Sequence, residues 1–132
     1  QLKSEASRLM DVMGLTEWRD KQAASLPYGV QRRLEIARAL AVRPRLLLLD
    51  EPAAGMNPDE TRQLMTLISR IRDEFSCTIL VIEHRMDLIM GICENIVVLN
   101  FGRKLTEGSP RAIQSDPQVI QAYLGEGVNA GA

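Results

Sequence analysis

The chain has 132 residues, 45% of them hydrophobic and 25% charged, with a formal net charge of -1. That is the balance of one soluble globular domain with enough apolar surface for a core. It excludes a global field that would hold nucleic acid or an anionic membrane, and no apolar run approaches the roughly 18 residues of a spanning helix.

In chain order, Leu2, Ala6, Leu9, Met10 and Met13 recur at helical spacing and stop at Gly14, so the pattern predicts a helix over 2–13. A short polar helix is expected at 16–23. From Gly29, the positions Val30, Leu34, Ala37 and Ala41 predict a second helix, ended by Arg43-Pro44. Residues 46–49, four leucines in a row, read as a strand. Asn57 followed by Pro58 is a favourable helix start, and Leu64, Leu67, Ile68 and Ile71 fall on one face of a helix over 58–74. "CTILVIEH" is a second strand. A helix across 86–91 leads to "ENIVVLN" and "GRKLTEG", two strands joined at Asn100-Phe101-Gly102, and short helices near 109–115 and 117–124 follow.

Near-continuous apolar strands alternating with helices are the pattern of a parallel sheet covered on both faces. In such α/β sheets ligands bind beyond the carboxyl ends of the strands, where Asp50, Glu51, Glu83 and His84 all fall. Strand alternation sends Asp50 and Glu51 in different directions. One can then hold a hydrated magnesium ion while the other polarises an attacking water, the division of labour of a nucleotide hydrolase. Alone, Asp50-Glu51-Pro52 fits equally well a strand end whose charge is merely solvated. Upstream, however, "LPYGVQRRLEIARAL" places a glycine at the mouth of a helix, where backbone N–H groups favour a phosphate. Downstream, "AAGMNP" supplies a small-residue turn, and a lone histidine follows the next strand.

In this order and spacing the chain resembles the ATP-binding cassette (ABC) family. "LPYGVQ" is similar to its signature loop, "LLLLDEP" to its Walker B strand, "AAGMNP" to its D-loop and "VIEH" to its switch histidine. The signature, "DEPAAGMNP" and the ending "GSPRAIQSDPQVIQAYLGEG" together look like the ATP-binding subunit of branched-chain amino-acid importers, and the likeness covers about residues 5–127. It implies an α/β fold: the C-terminal part of a P-loop NTPase, with a parallel sheet core, flanking helices and part of the helical subdomain. Residues 1–28 would be the remainder of that subdomain, 29–124 the signature helix and C-terminal part of the catalytic core, and 125–132 a flexible tail.

The resemblance also implies ATP and Mg2+ as cofactors. Asp50 would hold magnesium through water, Glu51 would be the catalytic base, and His84 would hydrogen-bond the γ-phosphate across a dimer. Pro27, Tyr28, Gly29, Val30, Gln31 and Asn57 would form the ATP-binding set, with the Gly29 amide facing ATP held by the opposite subunit. The implied partners are a second ABC ATPase subunit (in a homo- or heterodimer), transmembrane permease subunits and a periplasmic or surface substrate-binding protein. The implied place is the cytoplasmic face of the cell membrane, as a peripheral subunit.

This sequence departs from the family pattern at Pro27 and Tyr28, where a serine and a first glycine are usual, at Val30 in place of glutamine, and at Asn57 in place of aspartate. Pro27 offers neither a hydroxyl nor an N–H, so phosphate contact would rest on Gly29 and the helix end. Both sets of changes resemble the importer branch and read as a variant site. Lys3, Lys21 and Lys104 do not follow a glycine, and they are the only lysines, so a Gly-Lys-Ser/Thr phosphate cradle is absent. The chain is therefore expected to be part of a longer protein and inactive alone. A soluble cassette ATPase without a permease, and a truncated non-catalytic module, remain as alternatives.

Two further readings need no resemblance. Arg32, Arg33, Arg38, Arg43 and Arg45, with Glu35 interleaved, predict a salt-bridged helix face with no nucleic-acid role. Met10, Met13, Met86 and Met90 read as core filler, and Cys77 and Cys93, too few for a disulfide framework, as buried reduced thiols of a cytosolic protein.

Overall fold

In the computed structural model, which describes residues 1–124, the first helix α1 spans Leu2–Val12 and closes at Gly14 in the left-handed region (φ 64°). Of its expected stripe, Met13 is buried, Leu9 and Met10 are half-buried, and Leu2 stays exposed. The polar helix expected at 16–23 is instead two 3₁₀ turns, Thr16–Trp18 and Ala23–Ser25. That stretch has no apolar stripe to bury, and a short helix without tertiary packing is marginal in water. Helix α2, Tyr28–Ala41, buries Val30, Ile36, Ala37 and Leu40. Leu34 is half-buried and Ala41 exposed, so its core face is rotated from the expected stripe toward Ile36 and Leu40.

Strands β1 (Leu46–Asp50) and β2 (Thr78–Ile82) pair in parallel, in register from Leu46↔Thr78 to Asp50↔Ile82. The crossover between them is helix α3, Pro58–Phe75, which buries Leu64, Leu67, Ile68 and Ile71 as the spacing predicts. Its start is a capping box: the Asn57 side chain accepts from the Glu60 amide, and the Glu60 carboxylate accepts from the Asn57 amide, both at 2.9 Å.

The sheet differs from expectation in its cover. Leu47 and Leu49 are 4% and 8% exposed, whereas Leu46, Leu48, Leu80 and Ile82 are all more than half exposed. One face is buried and the other is open. The apolar runs suit a sheet covered on both sides, but a single crossover helix joins these two strands, and one layer can cover one face only.

Residues Gln1–His84 form one compact unit, and a second begins at Arg85. Residues 1–28 are tied into the first: Arg33 donates to the Gly14 carbonyl at 3.3 Å, Arg70 donates to the Val12 carbonyl at 3.3 Å, and Arg43 pairs with Glu5. Of the arginines expected on a salt-bridged face, Arg32 pairs with Glu35 at 2.9 Å and Arg43 with Glu5, whereas Arg33 bonds to backbone carbonyls instead.

In the second unit, helix α4 (Met86–Ile92) buries Leu88 and Ile89. Strands β3 (Ile96–Asn100) and β4 (Arg103–Gly108) form an antiparallel hairpin. Its turn residues Phe101 and Gly102 both have positive φ (48° and 73°), which suits the twist of a two-residue hairpin loop. Helix α5 (Pro110–Gln114), capped by Ser109, and α6 (Pro117–Val119), capped by Asp116, follow, and a π-helical turn continues over Ile120–Leu124. The tail expected at 125–132 lies outside the described residues.

Among the described residues no helix is long and apolar enough to cross a membrane. Cys77 is buried and Cys93 half-buried, both as free thiols, and burial pushes the Cys93 pKa up.

Candidate active site at the ends of the parallel strands

The parallel register brings Asp50 opposite Ile82, so the residues after each strand emerge at one end of the sheet. Three of the candidate residues meet there. Glu51 Oε1 lies 3.2 Å from His84 Nδ1, and Glu83 Oε1 lies 3.4 Å from the same nitrogen. With its proton on Nδ1 the imidazole donates toward Glu51 and keeps Nε2 as an acceptor.

The backbone at Glu51 is unusual: φ is 43°, in the left-handed region that a non-glycine residue occupies only when its surroundings impose it. Here the chain leaves the sheet: the Glu51 N–H still bonds to the Ile82 carbonyl at 2.7 Å, extending the β1–β2 ladder by one residue. The turn that follows closes with Ala54 N–H on the Glu51 carbonyl at 3.1 Å.

Glu83 is the residue whose role the sequence left unassigned. Its side chain is 0% exposed, and its two oxygens accept from the backbone N–H of His84 (3.1 Å) and, weakly, of Ala53 (3.4 Å). A signal for it exists: continuing the alternation of β2, in which Leu80 and Ile82 are exposed and Ile79 and Val81 half-buried, points position 83 inward.

Asp50 is exposed, and its side chain makes no hydrogen bond or ion pair among the described residues. Among the described residues no group of three or more histidine, cysteine, aspartate or glutamate side chains converges to hold a metal ion. A single carboxylate as donor fits a hydrated ion such as magnesium, which Asp50 would hold through water.

The signature residues open α2. Pro27 is its N-cap, with φ −54° and ψ 151° and no side-chain cap, so the first amides of the helix have no partner within it. Gly29 is the second residue of the helix, and a Cβ there would meet Glu60 at 3.5 Å, an ordinary contact. Packing within the chain therefore does not demand glycine at 29. Close approach of an outside group to the backbone is a reason that remains. Gln31 turns its amide back to the Leu26 carbonyl (3.0 Å), Val30 is buried, and Asn57 spends its side-chain oxygen on capping α3. Tyr28 reaches from the helix to the loop after β1, where its hydroxyl donates to the Ala54 carbonyl at 2.8 Å.

The chain is similar to known ATP-binding cassette proteins. The family model described as "ABC transporter" matches residues 1–54, and "Branched-chain amino acid ATP-binding cassette transporter" matches residues 103–129. The high-affinity branched-chain amino acid transport ATP-binding protein BraF of Pseudomonas aeruginosa is 51% identical over 92% of this chain and 48% of its own length. Its counterpart LivG of Escherichia coli is 50% identical over the same shares. The chain spans about half the length of the curated relatives it matches. Among solved structures, the ADP conformation of MJ1267, an ATP-binding cassette of an ABC transporter, superposes with a TM-score of 0.82 at 27% identity, over 94% of this chain and 50% of that one. The protein cbiO1 of Clostridium perfringens, part of the ABC transporter complex cbiONQ, does so with a TM-score of 0.81 at 28% identity, over 90% and 47%.

Proposed function

The chain belongs to the ABC ATPases, with the P-loop NTPase fold of their cassettes, and on that premise we propose that it is the carboxyl-terminal part of the ATP-hydrolysing subunit of a branched-chain amino-acid importer. The observation that carries this reading is the meeting of Glu51 and His84 at 3.2 Å at the ends of the parallel strands, beside an Asp50 carboxylate without a partner among the described residues. Identity near one half to BraF and LivG supports the choice of importer branch.

In this reading ATP is the substrate. Magnesium, when bound, neutralises phosphate charge, and Asp50 is the residue that holds its hydration shell. Glu51 takes the proton of the attacking water, the task of a positioned carboxylate base. His84 hydrogen-bonds the γ-phosphate and so senses its presence. The free amides at the start of α2, Gly29 among them, meet the phosphates of ATP on a second ATPase subunit, with Pro27, Tyr28, Val30 and Gln31 shaping that helix end and Asn57 the loop facing it. The phosphate cradle missing from this sequence belongs to the rest of the subunit. Closure of two such subunits on two ATP pulls on transmembrane permeases, to which a substrate-binding protein delivers the amino acid, and the subunit works as a peripheral protein on the cytoplasmic face of the membrane.

The test is reconstitution of the full-length subunit with its permeases in liposomes. Leucine, isoleucine or valine uptake that requires ATP and stops with Glu51→Gln is expected. ATP turnover with no uptake of any of the three would remove the transport assignment and leave a cassette ATPase of another kind.

A further inference from the structure

Tyr28 stands where the signature resemblance places a glycine, and its side chain is not spare. The hydroxyl donates to the Ala54 carbonyl at 2.8 Å, across 26 residues of sequence. The ring lies against Gly55, at which a Cβ would come within 3.4 Å of Cε1 and 3.6 Å of Cζ. A Cβ there would make ordinary contact with the ring, and it is the φ of 76°, which glycine adopts without strain, that suits a glycine at this turn. On the other side the Arg32 guanidinium lies 5.6 Å from the ring centroid, a cation–π distance, and is itself anchored to Glu35 at 2.9 Å. The tyrosine is thus held by its own helix at one end and grips the 51–57 loop at the other.

The loop so gripped begins at Glu51. Its opening is already fixed from β2, by Glu51 N–H on the Ile82 carbonyl and, weakly, Ala53 N–H on Glu83. Its far end is fixed by the Asn57 capping box. Between them the Ala54 carbonyl has Tyr28 as the partner that comes from α2. We propose that Tyr28 is a positioning residue for Glu51, a strut that sets the catalytic loop against the phosphate-facing start of α2 and does not itself contact nucleotide. The proposal rests on the ATPase reading above.

The test uses the full-length subunit carrying Tyr28→Phe and Tyr28→Ala, with kcat and KM for ATP and the melting temperature measured for each. Phenylalanine keeps the ring beside Gly55 and Arg32 and removes the hydroxyl, with its bond to the Ala54 carbonyl and its polar contact with Arg32, so it should fold as the wild type does. We expect Tyr28→Phe to lower kcat by about fivefold to tenfold, the worth of one hydrogen bond, and Tyr28→Ala by more, with KM changed less than about twofold in both. A rise in KM with kcat preserved would overturn the proposal in favour of a nucleotide contact. Wild-type kcat in Tyr28→Phe, or a lower melting temperature in Tyr28→Ala with unchanged kcat, would overturn it in favour of packing alone. A wild-type subunit that does not hydrolyse ATP would instead overturn the ATPase reading.

Discussion

Glu51 and His84 are 33 residues apart in sequence, and their side chains meet at 3.2 Å, Oε1 to Nδ1. The proposed base and the proposed phosphate sensor therefore stand within hydrogen-bond reach of each other. Both are substantially exposed, 52% and 71% at the side chain, so the contact can exchange for nucleotide and water at little cost in packing.

Glu51→Gln in the full-length subunit should keep ATP binding and cut hydrolysis by about 10²- to 10⁴-fold, since the amide keeps the shape and the hydrogen bond to His84 but cannot take a proton. Equilibrium binding beside single-turnover hydrolysis checks this. Turnover near the wild-type rate removes Glu51 as the base.

His84→Ala should slow hydrolysis by about 10²-fold, the usual cost of losing one preorganised donor to developing charge. Its melting temperature should stay near that of the wild type, because the side chain is 71% exposed. A large fall in melting temperature with unchanged turnover would make the histidine a structural residue.

Glu83→Ala leaves the His84 and Ala53 amides without the carboxylate that accepts from them. Losing buried acceptors should destabilise the subunit by about 1–3 kcal/mol and lower turnover as well, since both amides belong to segments carrying the site. Urea unfolding alongside ATPase assays measures the two effects. Wild-type values in both would mean that Glu83 holds nothing in place.

Pro27→Ser should be tolerated or mildly activating. Pro27 already has the extended backbone of an N-cap and offers no side-chain acceptor to α2. A serine hydroxyl there caps the helix, for about 0.5–2 kcal/mol, and restores a phosphate donor. Complete loss of activity would show that the ring itself shapes the turn.

This chain expressed without further sequence should self-associate, because Leu46, Leu48, Leu80 and Ile82 form an open apolar face on a two-stranded sheet. It should also show no ATP hydrolysis. Light scattering after size exclusion, with and without Leu48→Lys and Leu80→Lys, would show the masses falling as charge enters that face. A cooperatively unfolding wild-type monomer that binds micromolar ATP would overturn the expectation.

The sequence by itself determined the order and type of the main elements, because apolar period and local stop signals are properties of neighbouring residues. Leu64, Leu67, Ile68 and Ile71 mark the buried face of α3, Asn57-Pro58 its start, and Asp50-Glu51 the end of β1. Where that signal was weak, at 16–23, two turns replace the expected helix. Tertiary structure alone decided what the strand ends do. The distance from Glu51 to His84 depends on the register of β1 against β2, the enclosure of Glu83 on the loop folding over it, and the reach of Tyr28 to Ala54 on where α2 begins. It also decided the cover of the sheet. A run of leucines records that a strand suits an apolar surrounding, but which face is covered depends on elements distant in sequence, and here Leu46 and Leu48 remain open while Leu47 and Leu49 are buried.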